Sequence, residues 1–363
     1  MLTRVKRACL MPILAGSIEA MAQSTDSAAV FGRINVAIER VQVSGPPSSH
    51  MDRLSNNRSI LGFRGAEDLG DGLKAIWQIA GSVAPDTGIG SIASRDSRVG
   101  LQGTWGTLFA GAWTLPYTSA TSSFDPFYPT TAGYMALLGN GSAALADNIS
   151  NRSAFDRRQE NVAQYWTPEW SGMSARLAYA FNEELVPATG ARPSLWSSSI
   201  SYAHGPWHLT AAHEIHRQYQ TARGSDTGIK LGVSYETTTC RVAALAEHLR
   251  YETSKGSLTR DAAFVSAVCK DGAFSYQAAY SRALEGHGAP SSSVGFINAG
   301  ESTGASQATV GVEYAFSRRT SLFAFVSRIA NQSAAAYDFA TNQAGAKTGQ
   351  QPRVVALGIR HDF

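Results

Sequence analysis

Arg58-Ser-Ile-Leu-Gly-Phe-Arg-Gly-Ala-Glu-Asp-Leu-Gly-Asp-Gly-Leu-Lys-Ala-Ile-Trp-Gln-Ile79 reads as two strands joined by a tight turn. Before the turn, Leu61 and Phe63 share one face while Arg58, Gly62 and Arg64 share the other. After it, Leu73, Ala75, Trp77 and Ile79 alternate with Lys74 and Gln78. That period of two marks strands with one apolar and one polar face. The glycines of Glu67-Asp68-Leu69-Gly70-Asp71-Gly72 suit a reversal of the chain. A soluble hairpin would look the same in isolation, so the rest of the chain decides.

Alternating segments of this kind recur to the end of the chain. Val30, Gly32, Ile34, Val36 and Ile38 lie on one face of a first strand, with Arg33, Asn35 and Glu39 on the other. Further segments fall at 97–103, 108–113, 162–167, 173–181, 197–203, 207–215, 229–235, 242–251, 262–270, 273–282, 308–316, 321–329 and 354–363. With the opening hairpin this makes about sixteen, an even count that fits a closed antiparallel transmembrane β-barrel. Short turns such as Gly205-Pro206 and Asp271-Gly272 alternate with long polar loops at 113–161, 182–195, 284–306 and 330–352. Short periplasmic turns and long extracellular loops are the layout of outer-membrane barrels. The strand pattern ends on Leu357, Ile359 and Phe363, a terminal aromatic of the kind that would guide strand addition during barrel assembly.

The start of the chain reads as an address. Arg4, Lys6 and Arg7 precede a short apolar run, and Ala20-Met21-Ala22 fits a cleavage site, so residues 1–22 are expected to be a signal peptide and 23–363 the barrel. No apolar run of about 18 residues follows, which argues against a transmembrane helix. Charge is 31 basic against 28 acidic. Without Arg4, Lys6, Arg7 and Glu19 it is 28 against 27, which argues against a nucleic-acid binder.

The hairpin 61–78 resembles the second and third strands of Gram-negative general porins of the betaproteobacterial type. So do Tyr165-Trp-Thr-Pro-Glu-Trp-Ser-Gly172, Ile200-Ser-Tyr-Ala-His-Gly-Pro206, Tyr314-Ala-Phe-Ser-Arg-Arg-Thr320 and Gly358-Ile-Arg-His-Asp-Phe363. The resemblance implies a sixteen-stranded barrel, usually a homotrimer in outer-membrane lipid, built by the barrel assembly machinery and passing small hydrophilic solutes and ions by diffusion. It also implies that the third loop, 113–161, folds inward to narrow the channel. Asp125, and more weakly Asp147, are its acidic candidates. Arg95 and Arg158 match two wall arginines of anion-preferring relatives. At a third such position stands Ile60, the family's acid after the third strand is Ala80, and its Gly-Arg in the fifth is Gly111-Ala112. Arg58 and Arg98 are expected to compensate, and Arg33, Arg64 and Lys74 to face the lumen, giving a weak anion preference. Strict alternation places Arg95 on the face of Val99 and Leu101, so a bulge or strand end would have to turn it inward.

Several signals point elsewhere only weakly. His213-Glu214-Ile215-His216 would bring two histidines together on a helix, but on a strand it points them apart, and solvated histidines are expected. No catalytic constellation, metal site or cofactor motif stands out. Cys240 and Cys269 fall almost opposite each other if the intervening turn centres near Gly256, which allows a cross-strand disulfide or leaves two thiols there. An outer-membrane enzyme would need a Ser or Asp/His cluster near a rim, and none is apparent. A non-conducting structural or adhesive barrel, plugged by its third loop, remains the alternative to a pore.

Overall fold

The computed structural model describes residues 26–140, 153–181, 190–221 and 223–363; the expected signal peptide and Asp147 lie outside them. Among the described residues sixteen antiparallel strands form the wall. The first eight are β1 (Asp26–Ser44), β2 (two segments, Ser49–Asn56 and Ile60–Gly70), β3 (Leu73–Ala84), β4 (Ser97–Gly103), β5 (Gly106–Thr114), β6 (Arg158–Trp166), β7 (Met173–Ala180) and β8 (Ser194–His204). The rest are β9 (Trp207–Arg217), β10 (Ser225–Glu236), β11 (Cys240–Thr253), β12 (Gly256–Asp271), β13 (Phe274–Ala283), β14 (Ala305–Ala315), β15 (Thr320–Asn331) and β16 (Gln351–Asp362). Each pairs with the next. The last returns to the first, with Arg33 opposite Asp362 and Ser44 opposite Gln351. Closure leaves no edge, so every ladder group has a partner in a solvent that offers none.

Alternation sorts the wall into two faces. On β16 Val355, Leu357 and Ile359 are exposed while Val354 and Ala356 are buried. The exposed row faces lipid; the buried row faces a filled interior. The hairpin turn between β2 and β3 is made by Asp71 and Gly72 at φ 52° and 77°, beside a bulge between Asp68 and Gly70.

Two features differ from the expectation. The strands mostly run a few residues further toward the long-loop rim than their apolar alternation. β2 also continues beyond Arg58: both of its segments pair with β1, and residues 57–59 interrupt it, with Arg58 at φ 58°. The polar Ser49–Asn56 segment carries His50, Asp52 and Arg53, so it lacks the apolar row that marks a strand.

The third loop, 115–157 as far as it is described, lies inside the barrel. It packs Phe124, Phe127, Tyr134 and Leu137 against inward-facing Leu245, Phe264 and Phe325, and residues 332–350 add Tyr337 and Phe339 to the same core. The wall has holes shaped for it. A Cβ at Gly228 would stand 2.7 Å from the Phe155 ring, and one at Gly232 2.7 Å from the Phe124 ring.

Candidate functional site

The third loop is tied down along its length. Its first turn, α1 (Pro116–Ser119), begins where the Tyr117 N–H donates to Ser197 Oγ at 3.0 Å. Farther on, Ser266 Oγ donates to the Phe124 carbonyl at 2.7 Å and Gln307 Nε2 to the Ala132 carbonyl at 2.8 Å. Thr131 Oγ1 donates to Glu39 Oε1 at 2.5 Å. The anchors therefore sit on β1, β8, β12 and β14, and the loop crosses the lumen.

A buried ionic cluster holds both ends. Glu247 on β11 accepts from the Tyr117 hydroxyl at 2.9 Å, from the Gly139 N–H at 2.9 Å and from Arg260 at 3.0 Å. Lys230 on β10 bonds Asp156 Oδ1 at 2.6 Å and lies 3.7 Å from Glu247. All four ionic side chains are fully enclosed. Two acids and two bases cancel, so burial of the cluster leaves no net charge.

Asp125 belongs to the loop's own scaffold and does not line the lumen. It is 4% exposed, and its oxygens accept the Phe127 N–H at 2.9 Å and the Tyr134 N–H at 2.7 Å. Burial pushes its carboxyl up to about 7 despite those two bonds. Asp156 is consumed by Lys230. Neither acid faces the open lumen.

The opposite wall is basic. Arg95 precedes β4, which begins at Ser97, so strand alternation does not apply to it; its Nε donates to Ser82 Oγ at 2.8 Å. Burial, with the charges of Arg158 and Arg58 beside it, lowers the Arg95 guanidinium to about 9, still protonated at neutral pH. Arg158 Nε lies 2.7 Å from Asp96 Oδ1, and that carboxylate also accepts from Thr114. Burial opposes the charge on Asp96, but Arg158 and Thr114 outweigh it and hold its pKa below the usual carboxylate range. Arg58, turned inward by the interruption in β2, bonds the Tyr128 hydroxyl of the loop at 3.3 Å and lies beside Met135. Arg58, Arg95 and Arg158 thus gather on one wall, while Ile60 itself stays in the strand.

The other predicted residues lie elsewhere. Arg98 stacks on three aromatic rings, Phe109 at 4.7 Å, Trp113 at 4.3 Å and Trp166 at 5.1 Å, and Arg176 covers Trp166 at 4.4 Å. These guanidinium groups are spent on the wall and on Ser119, which Arg176 bonds at 3.2 Å. Arg64 lies over the Phe31 ring at 5.2 Å. Lys74 is exposed next to the β2–β3 turn, at the short-turn mouth and away from the eyelet. Arg33 pairs with Asp362 at 2.7 Å.

His213 and His216 do fall on opposite faces of β9, but His216 is buried. Its Nε2 lies 2.7 Å from Glu214 Oε1, and its ring stacks on Phe155 of the third loop at 4.2 Å. Cys240 and Cys269 are cross-strand partners on the outer face at the short-turn rim, with Cα atoms 4.1 Å apart and the sulfurs bonded. Phe363 exchanges backbone hydrogen bonds with Gly32 and so completes the seam between β16 and β1. The sequence reading missed the ionic cluster of Lys230, Asp156, Glu247 and Arg260. Its sequence signal was charge at the inward strand positions of Lys230, Glu247 and Arg260, and Asp156, in the third loop, gave none.

A closed barrel with a lipid-facing outer row and a loop folded across its lumen is the architecture of an outer-membrane channel. A model of the Gram-negative porin family matches residues 8–334, and the chain belongs to that family. It is an outer-membrane pore for passive diffusion of small hydrophilic solutes and ions. Outer membrane porin protein 32 of Delftia acidovorans is 29% identical over 255 residues, 68% of this chain and 70% of that one. An outer membrane porin protein of Bordetella pertussis is 26% identical over 277 residues, 66% and 68% of the two chains. An anion-selective porin from Comamonas acidovorans has the same fold, with TM-score 0.77 and 23% identity over 93% of this chain and all of that one.

Proposed function

We propose that the pore prefers small anions weakly and that Arg58, Arg95 and Arg158 set this preference. The observation that carries it is their gathering on one wall, facing a loop whose acids among the described residues, Asp125 and Asp156, are buried. Asp96 offsets one of the three charges, which keeps the preference weak. The fold likeness to a porin described as anion-selective agrees with this reading. Guanidinium groups stay charged through the neutral range, so the preference should hardly change with pH there. Replacing the three arginines with serine tests it: the reversal potential in a potassium chloride gradient should move toward the cation side. An unchanged potential in the triple variant would overturn the assignment.

The same reading makes the working unit a homotrimer without enzymatic turnover. Exposed aromatics ring the short-turn rim from Trp105 through Trp207, Tyr235, Phe274 and Phe316 to Phe363, and exposed Phe63 and Trp77 carry the series on to β2 and β3. A lipid-facing barrel places aromatics at its interfaces, and the trimeric unit rests on membership of the porin family. The terminal Leu357, Ile359 and Phe363 serve as the assembly signal. Phe363→Ser should lower the amount of folded barrel in the outer membrane without changing conductance of the molecules that do fold. Wild-type assembly of that variant would remove this role.

A further inference from the structure

Three arginines stand on the lipid-facing side of β13–β16, where the apolar band ends. Arg282 shares a face with exposed Tyr276 and Tyr280, Arg328 with Leu322, and Arg353 with Val355, Leu357 and Ile359. All three are exposed, and each is flanked in sequence by buried neighbours, so alternation points them outward. Arg282 is eight residues above Phe274 at the periplasmic end of β13, and Arg328 is eight above Thr320 on β15. Eight residues of a tilted strand climb about 20 Å of an apolar band about 25 Å tall, which brings the long arginine side chains within reach of the outer-leaflet headgroups.

Arg328 is directly opposite Arg353, and Arg282 is opposite Ser306 on the intervening β14. Like charges opposite each other destabilise a sheet. Two other exposed charges of the outer face are matched within the protein, His248 with Asp261 at 2.6 Å and Arg40 with Asp52 at 2.9 Å, whereas Arg217, among the described residues, stands alone at the end of β9. Among the described residues no carboxylate lies within ion-pair distance of Arg282, Arg328 or Arg353, and Arg328 bonds only the Gln351 amide. The patch is complementary to an anion supplied from outside.

Beneath it the wall is hollowed. A concavity of about 770 Å³ runs down β10–β14, floored by the small side chains of Ala244, Ala267, Ala278 and Ala308 between the ridges of Tyr235 and Tyr280. Ala308 is the register partner of both Tyr280 and Arg328, so the upper end of the hollow meets the cations. We propose that this surface seats a phosphorylated lipid of the outer leaflet. Arg282, Arg328 and Arg353 hold its phosphate, and one acyl chain lies in the hollow. Arginine suits this task because its fork donates two hydrogen bonds to phosphate oxygens.

Purified wild-type trimer in detergent, titrated with diphosphoryl lipid A and read by native mass spectrometry, tests the seat. The R282Q/R328Q variant should bind it about tenfold more weakly, as expected for the loss of a charge-assisted hydrogen bond or two. Wild-type binding should also fall for lipid A stripped of its phosphates, and inorganic phosphate alone should not compete. Ala308→Trp fills the hollow while leaving the arginines, and should weaken binding with the lipid-free melting temperature unchanged. Equal affinity of R282Q/R328Q and wild type, or indifference to the phosphates, would overturn the proposal. So would displacement by inorganic phosphate, full binding by the Ala308→Trp variant, or dissociation of lipid-free R282Q/R328Q trimers, which would make the patch a subunit contact.

Discussion

Lys230 on the barrel wall and Asp156 near the end of the third loop meet at 2.6 Å, Nζ to Oδ1, with no solvent reaching either. The pair fixes the position of the loop, and hence the width of the channel, from inside the protein. Two charges removed from water are tolerable only because each satisfies the other, with Glu247 and Arg260 completing the cluster.

Lys230→Met should therefore leave Asp156 buried without its partner, at a cost of about 3–5 kcal/mol to the seated loop. The barrel itself should still form, because its ladder does not involve this side chain. Single-channel traces should become noisier, and the loop should become open to protease. Quiet, wild-type traces and full protection would show that the pair does not hold the loop.

Asp125 predicts a pH dependence of the same loop. Its folded value of about 7 lies above the usual value near 4, so the folded loop favours the protonated form. That contribution is complete below about pH 4 and is lost as pH rises through about 7. Hydrogen-exchange protection at residues 125–134, taken relative to the intrinsic exchange rate at each pH, should be greater at pH 5 than at pH 8 in the wild type. In Asp125→Asn the difference should vanish, although the amide loses one acceptor, at about 1 kcal/mol. A flat profile in the wild type would contradict the assignment.

The glycine at 232 is a steric requirement. Gly232→Leu should meet the Phe124 ring and unseat the loop by about 1–3 kcal/mol, as overpacking does, with strand content unchanged by circular dichroism. A wild-type conductance would mean that the loop has another place to rest.

The barrel was legible in the sequence because its outer face must be apolar and its strands alternate with period two. Trp77, Leu357 and Ile359 announce that face without any tertiary information. The eyelet was legible only in part. Arg95 and Arg158 came from motif resemblance, and Arg58 was named as a substitute, but its inward turn depends on an interruption of β2 that alternation does not encode. Asp125 misled because a loop acid has no periodicity to show whether it faces water or its own backbone N–H groups. Arg98 looked like a lumen charge, and only the packed structure brings Phe109, Trp113 and Trp166 around it.

The two cysteines give a covalent test of register. Thiol titration of the unfolded, non-reduced protein should find Cys240 and Cys269 unreactive, and their bridge should add about 3–4 kcal/mol to stability. Two free thiols would refute the bridge and leave the β11–β12 pairing to stand on its ladder alone.

The most direct test is single-channel conductance of the refolded wild-type protein in a planar bilayer, with the reversal potential read under a salt gradient. A large, steady conductance with mild anion preference is the result that a seated third loop facing Arg58, Arg95 and Arg158 predicts. Silence from a verified folded trimer would mean that the loop seals the barrel, and the account of an open eyelet would be contradicted.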